Sequence, residues 1–197
     1  AHFYQVMAEA GWKMDFVSTR GGYVPLEPSS LAPESMGPVD FKCYADPEFR
    51  RGLGSSLAPE QVNPADYSLI YYTGGHGVIF DFPDNAKLQE IAAKIYEAGG
   101  IVSAVCHGVV GLLNIKLSNG ELLIKGKPVT GFSNEEENMI HLESVVPFLT
   151  EDELKKRGAK FESGPAFQTF VTGAERVITG QNPASGAAVA VKVLQSI

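Results

Sequence analysis

Apolar and polar positions along the chain follow two periods in turn. Phe3, Tyr4, Val6, Met7 and Ala10 recur at helical spacing until Gly11 stops the run. Lys13 to Ser18 reads as a strand, followed by the turn Arg20-Gly21-Gly22. Ser68 to Tyr72 is a short continuous apolar run, a buried strand that ends at Thr73-Gly74-Gly75-His76-Gly77. Helical spacing returns over Asn85 to Ala98, with Leu88, Ile91, Ala92 and Ile95 on one face and Asp84 or Asn85 as cap. Gly99-Gly100 closes that helix, and Ile101 to Val105 is a second buried strand.

Further along, Leu122 to Ile124 and Pro128 to Phe132 flank Gly126-Lys127, which predicts a hairpin or tight reversal. Ser133-Asn134 opens a helix whose first turn carries Glu135, Glu136 and Glu137, as suits the positive helix end. Thr150 to Glu153 reads as a capping box for a helix ending near Gly158. Phe161, Phe167 to Thr172 and Val177 to Thr179 are predicted strands, and Asn182-Pro183 is expected to cap a last helix running to Ile197.

Strands alternating with helices imply an α/β protein whose mostly parallel sheet is covered on both faces. Such doubly wound sheets open with a strand. This pattern opens in a helix, so an N-terminal strand is expected to be missing from the given sequence. Between Pro28 and Pro64 lie six of the twelve prolines, a density that forbids long regular elements. The segment 28–64 is therefore expected to be a surface insertion, a lid or an interface, on a single domain spanning 1–197.

Composition narrows the function classes. The 197 residues are 44% hydrophobic and 20% charged, a globular balance. A net charge of −7 repels a phosphate backbone, and the densest basic spot, Lys155-Lys156-Arg157, reads as a solvated helix end; no nucleic-acid partner is expected. No apolar run approaches the roughly 18 residues of a membrane span. The opening residues do not read as a secretory leader, and Cys43 and Cys106 sit in unlike settings, so free thiols in the cytoplasm are expected.

The candidate chemistry centres on Cys106-His107-Gly108, where the strand Ile101 to Val105 meets Val109-Val110-Gly111-Leu112-Leu113. Strand, abrupt turn and helix would push the thiol of Cys106 out of the sheet edge. Helix N–H groups there would favour thiolate. A buried structural cysteine is the alternative. In a parallel sheet, the turn at Gly74-Gly75-His76-Gly77 lies on the same edge as Cys106. The amides of Gly75 and His107 could then form an oxyanion hole, with His76 beside them. A carboxylate would hold the His107 imidazole as a proton shuttle; Glu136 and Glu137 are the candidates, and Glu137 is favoured. His2, His76, His107 and His141 lack ligand spacing, so neither a metal site nor a cofactor is expected.

Gly74-Gly75-His76-Gly77, Asp81 through Asp84, Ala104-Val105-Cys106-His107-Gly108, Thr130-Gly131-Phe132-Ser133-Asn134 with its glutamates, and Ile178 through Ser185 together resemble the ThiJ/PfpI superfamily. The resemblance is strongest to its glyoxalase III and heat-shock chaperone branch, near proteins described as class I glutamine amidotransferase-like. It covers essentially the whole chain. It implies a flavodoxin-like fold and cofactor-free conversion of methylglyoxal, a small 2-oxoaldehyde, to D-lactate through a Cys106 hemithioacetal. His107 would match the family's catalytic histidine and Glu137 its acid, and members are commonly homodimers. The family also carries a glutamate at the end of its first strand, which here would fall before Ala1. A protein truly starting at Ala1 would be expected to turn over weakly or not at all.

Two further classes compete. A chaperone, redox sensor or protein deglycase would use the same cysteine without glyoxalase turnover. Glutamine amidotransfer would want a late His-x-Glu, and His141-Leu142-Glu143 fits the letters but comes too soon after the cysteine, inside a predicted helix. Nothing in the chain suggests the peptide groove of a protease.

Overall fold

A computed structural model describes residues 1–197 and divides them into two compact units, Ala1–Val62 and Asn63–Ile197. In the first unit, α1 (His2–Glu9) buries Phe3 and Met7, α2 (Pro38–Ala45) buries Cys43, and α3 (Pro47–Gly54) follows directly. Prolines stand at the first helical positions of α2 and α3, where their missing N–H costs nothing. Tyr4, Phe16 and Phe49 join in tilted and edge-on contacts with centroids 4.9 to 5.8 Å apart. The strand expected over Lys13 to Ser18 reduces to one parallel bridge, Val17 with Leu57, because the chain finds a partner only there.

The second unit holds the sheet. Leu69–Tyr72 (β1), α4 (Ala86–Glu97) and Ile101–Val105 (β2) follow in order, and β2 is buried along its whole length. Asn85, rather than Asp84, caps α4 by accepting from the Leu88 amide at 2.9 Å. The face of Leu88, Ile91, Ala92 and Ile95 is buried as its spacing predicts. Next come β3 (Pro128–Val129), α5 (Asn134–Met139), α6 (Thr150–Lys156), β4 (Lys160–Phe161), β5 (Val171–Ala174), β6 (Val177–Gly180) and α7 (Gly186–Leu194). The main sheet runs β1-β2-β6-β5, parallel except for the final β5/β6 pair, and β3 pairs with β4 in a separate parallel ladder. This is the flavodoxin-like α/β arrangement. Ser103, fully buried in β2, donates to the Ile178 carbonyl at 2.8 Å and so ties the two central strands by a side chain as well.

Several local expectations give way. Of the two forms expected at Gly126-Lys127 the tight reversal is present, with the Lys127 amide donating to the Ile124 carbonyl at 3.1 Å, but no hairpin forms, because β3 pairs forward with β4. Thr150 does not cap α6: Leu149 takes the cap position without a side-chain bond, and the helix begins at Thr150 itself. The predicted strand from Phe167 begins only at Val171, since Phe167 turns into the left-handed region at φ 56°. The last helix starts at Gly186 after a 3₁₀ turn, Pro183–Ser185, and ends at Leu194.

The parallel register Tyr72↔Ala104 places the ends of β1 and β2 side by side, which brings the two glycine-bearing turns together. They touch closely. A Cβ on Gly108 would lie 2.4 Å from the Thr73 carbonyl oxygen and 2.5 Å from that of Tyr72. Gly108→Ala is therefore expected to lower stability by about 1–3 kcal/mol, because backbone is the obstacle on both counts. Urea unfolding midpoints of the two proteins measure the difference.

Candidate active site

Backbone geometry at the end of β2 sets the position of the thiol. Val105 is extended, and Cys106 turns abruptly into the left-handed region at φ 57°. That conformation is rare for a residue with a Cβ and is held only where its surroundings enforce it. A 3₁₀ helix, Cys106–Leu112, follows and is buried throughout. The expected α-helix is absent here, so the site has no long helix dipole behind it. Gly74 makes room opposite: a Cβ there would meet the Cys106 Cβ at 2.8 Å. Gly75 adopts φ 111°, a conformation that glycine tolerates and that turns its amide toward the sulfur.

Three side chains form a line from the thiol. Cys106 Sγ lies 3.5 Å from His107 Nδ1, and His107 Nε2 lies 2.8 Å from Glu137 Oε2. The second oxygen of Glu137 is 2.8 Å from His76 Nε2. One carboxylate therefore receives two imidazoles. With Glu137 accepting on both oxygens, each histidine carries its proton on Nε2, and the free lone pair of His107 Nδ1 faces the sulfur. Glu137 reaches the line from the first turn of α5, which begins at the capping box of Ser133 and Glu136.

Electrostatics run against the expected thiolate. Burial pushes the Cys106 thiol up to about 12, and this outweighs the opposing amides of His107 and Gly75, which point at the sulfur. The nearby carboxylates of Glu136 and Glu137 add to the rise. Cys106 thus rests as a thiol at neutral pH and needs a base to become a nucleophile. Burial also lowers the pKa of His107, opposed by its bond to Glu137 and reinforced by His76. A neutral imidazole is what such a base requires.

Aromatic rings enclose the line. His107 lies 4.4 Å from the Phe132 ring centroid to centroid, His76 lies 6.0 Å from it, and Phe167 meets Phe132 edge-on at 5.9 Å. Glu136, fully buried, does not join the histidines. Its Oε1 accepts from the Phe167 amide and the Asn182 side chain, each at 2.8 Å, and its Oε2 accepts from the amide and hydroxyl of Ser133. Asn182 is drawn to this carboxylate and to the Gln168 carbonyl at 2.7 Å, so its side chain does not cap the following helix.

The sequence-predicted residues Cys106, His107, Glu137, Gly75 and His76 converge at this one place. His76 does so as a partner of Glu137. Although the four histidines lack ligand spacing in the sequence, folding brings His76 and His107 together with Glu137, their ligand atoms all within 4.8 Å of one another. His141 lies past the end of α5, exposed, rather than within it. Glu136, the other candidate carboxylate for His107, serves instead as an anchor for the Phe167 segment, and nothing in the sequence marks Phe167 for the site.

Comparison with known proteins settles the family. The model of the DJ-1/PfpI family matches residues 2–196. The chain belongs to the DJ-1/PfpI family. It is 35% identical to the glutathione-independent glyoxalase HSP31 of Saccharomyces cerevisiae, covering 100% of this chain and 86% of that protein. Glyoxalase 3 of Candida albicans is 31% identical, with 98% and 85% covered. The crystal structure of glyoxalase III from Candida albicans superposes with a TM-score of 0.93 at 29% identity, covering 100% of this chain and 85% of the other. Rapid Encystment Protein 24 KDa of Francisella tularensis superposes equally well, at 0.93 with 38% identity, covering 99% of this chain and 86% of that one.

The lowered pKa of His107 has a stability consequence of definite sign. As pH falls, the unfolded chain takes up the histidine proton first, near the ordinary value of 6.5, while the folded protein resists it. The contribution of the neutral, buried imidazole is therefore complete above pH 6.5 and is lost as pH falls through the lower folded-state value. Thermal melts between pH 7.5 and 4.5 are expected to show this acid-side loss, reduced in His107→Gln.

Proposed function

We propose that this chain converts methylglyoxal and related 2-oxoaldehydes to D-lactate-type 2-hydroxy acids without glutathione, with Cys106 as nucleophile. The observation that carries the reading is the line Cys106–His107–Glu137, which runs from the turn after β2 to the first turn of α5. The glyoxalase names of the relatives support it.

The steps follow from the positions of the groups. Sγ attacks the aldehyde carbon as His107 Nδ1 takes the thiol proton, which overcomes the high pKa of the buried sulfur. The carbonyl oxygen becomes the hydroxyl of a hemithioacetal, stabilised as it gains charge by the amides of Gly75 and His107. Removal of the proton from that carbon gives an enediol, and protonation of the neighbouring carbon gives a thioester of the 2-hydroxy acid. Water then cleaves the thioester, releasing the acid and restoring the thiol. Substrate carbons exchange oxidation levels internally, so no external redox partner is needed. Glu137 holds His107 in the productive tautomer, and His76 holds Glu137. Phe132 and Phe167 limit water near the reacting carbon.

Cys106→Ala is expected to abolish D-lactate formation from methylglyoxal, and retained turnover would sink the proposal. Glu137→Gln keeps the shape but loses the paired acceptor, and is expected to lower kcat by about 10²–10⁴-fold with a smaller change in KM. Stereospecific lactate assay under steady-state conditions measures both.

A further inference from the structure

Glu137 is approached on its two oxygens by two imidazole nitrogens, and the rings of His76 and His107 lie 4.0 Å apart at 44°. Two imidazole nitrogens and one carboxylate oxygen form a donor set suited to Zn²⁺ and its neighbours, and poorly suited to Mg²⁺ or Ca²⁺. A tetrahedral Zn²⁺ with bonds of about 2.0–2.1 Å holds its ligand atoms about 3.3 Å apart. The two imidazole nitrogens and one Glu137 oxygen lie within 4.8 Å of one another, so closing on such an ion takes shifts of about an ångström, within reach of side-chain adjustment. Access is one-sided: the side chain of His76 is 36% exposed, whereas those of His107 and Glu137 are 1% and 2% exposed. An ion would arrive past His76.

We propose that His76 Nε2, His107 Nε2 and Glu137 together form a binding site for a Zn²⁺-class cation, and that the bound ion switches the site off. The second half rests on the glyoxalase reading above; the first does not. An ion bound at Nε2 displaces the Nε2 proton of each neutral imidazole to its own Nδ1, with no net change in protons. On His107 that proton lands on the atom facing Cys106. His107 then has no lone pair with which to accept the thiol proton, and Glu137 no longer accepts from either ring. The same three side chains thus serve two exclusive states, a proton-transfer line and a metal site. Cys106 is not a ligand, because its sulfur faces the opposite edge of the ring.

The test is titration of the full chain with Co²⁺, the coloured stand-in for Zn²⁺, in a non-chelating buffer. The expected result is one ion per chain, with the intense visible bands of low-coordinate Co²⁺ and no thiolate charge-transfer band. Zn²⁺ should displace it and Mg²⁺ should not. His76→Ala and Glu137→Gln, checked for folding by circular dichroism, should each weaken binding by at least about tenfold. His2→Gln and His141→Gln should bind as the parent does. D-lactate formation should fall along the Co²⁺ binding curve and return with EDTA. The metal site is overturned if the parent shows no stoichiometric bands, or if His76→Ala titrates like the parent. The switch is overturned if saturated protein turns over unchanged. A metal-free parent that makes no D-lactate overturns the glyoxalase reading alone, since the spectra still decide the site.

Discussion

The bidentate sharing of Glu137 between two imidazoles is the interaction on which the site depends. A carboxylate held by one histidine can swing about its own bonds; one held by two is fixed at both oxygens. Fixing it fixes the tautomer of His107, and the tautomer decides whether Nδ1 can accept a proton from Cys106. Three stretches of chain must agree for this to happen: the turn after β1, the turn after β2 and the first turn of α5. Their agreement follows from the parallel register of the central strands and from the serine-glutamate capping box that starts α5.

Burial has two opposite effects here. It raises the thiol of Cys106 and lowers the imidazole of His107, so both rest neutral. Neutral partners in a dry setting attract one another less than an ion pair would, and the 3.5 Å separation is consistent with that. The same setting strengthens every fixed dipole aimed at a charge that develops later. Two adjacent glutamates diverge sharply in this environment. Glu137 faces the histidines, while Glu136 anchors the segment bearing Phe167 and Gln168 through main-chain and amide donors.

Much of the fold was legible because strong periodicity reports burial directly. The face of α4 and the wholly buried β2 are read from the apolar spacing alone, and the strand-end glycines mark the edge where the chemistry sits. What failed was short or cooperative. Lys13 to Ser18 has strand-like residues but only one bridging partner, and the Gly126-Lys127 turn suggested local pairing where Pro128 instead pairs with Lys160. The thiolate expectation failed for a different reason. Sequence shows the turn but not the depth at which it is buried, and depth outweighs the two amides. The meeting of the two histidines was likewise illegible, since 31 positions separate His76 from His107 and only the sheet register brings their rings together.

The left-handed turn at Cys106 carries a consequence for selectivity among electrophiles. A buried sulfur whose pKa is pushed up to about 12 offers peroxide or an alkylating agent little ready anion at neutral pH. On the proposed reading, reaction would require a compound that reaches the sulfur and can take a proton from the same imidazole that unmasks it. The backbone turn that buries the sulfur beside His107 thus ties its proton to one imidazole rather than to bulk water.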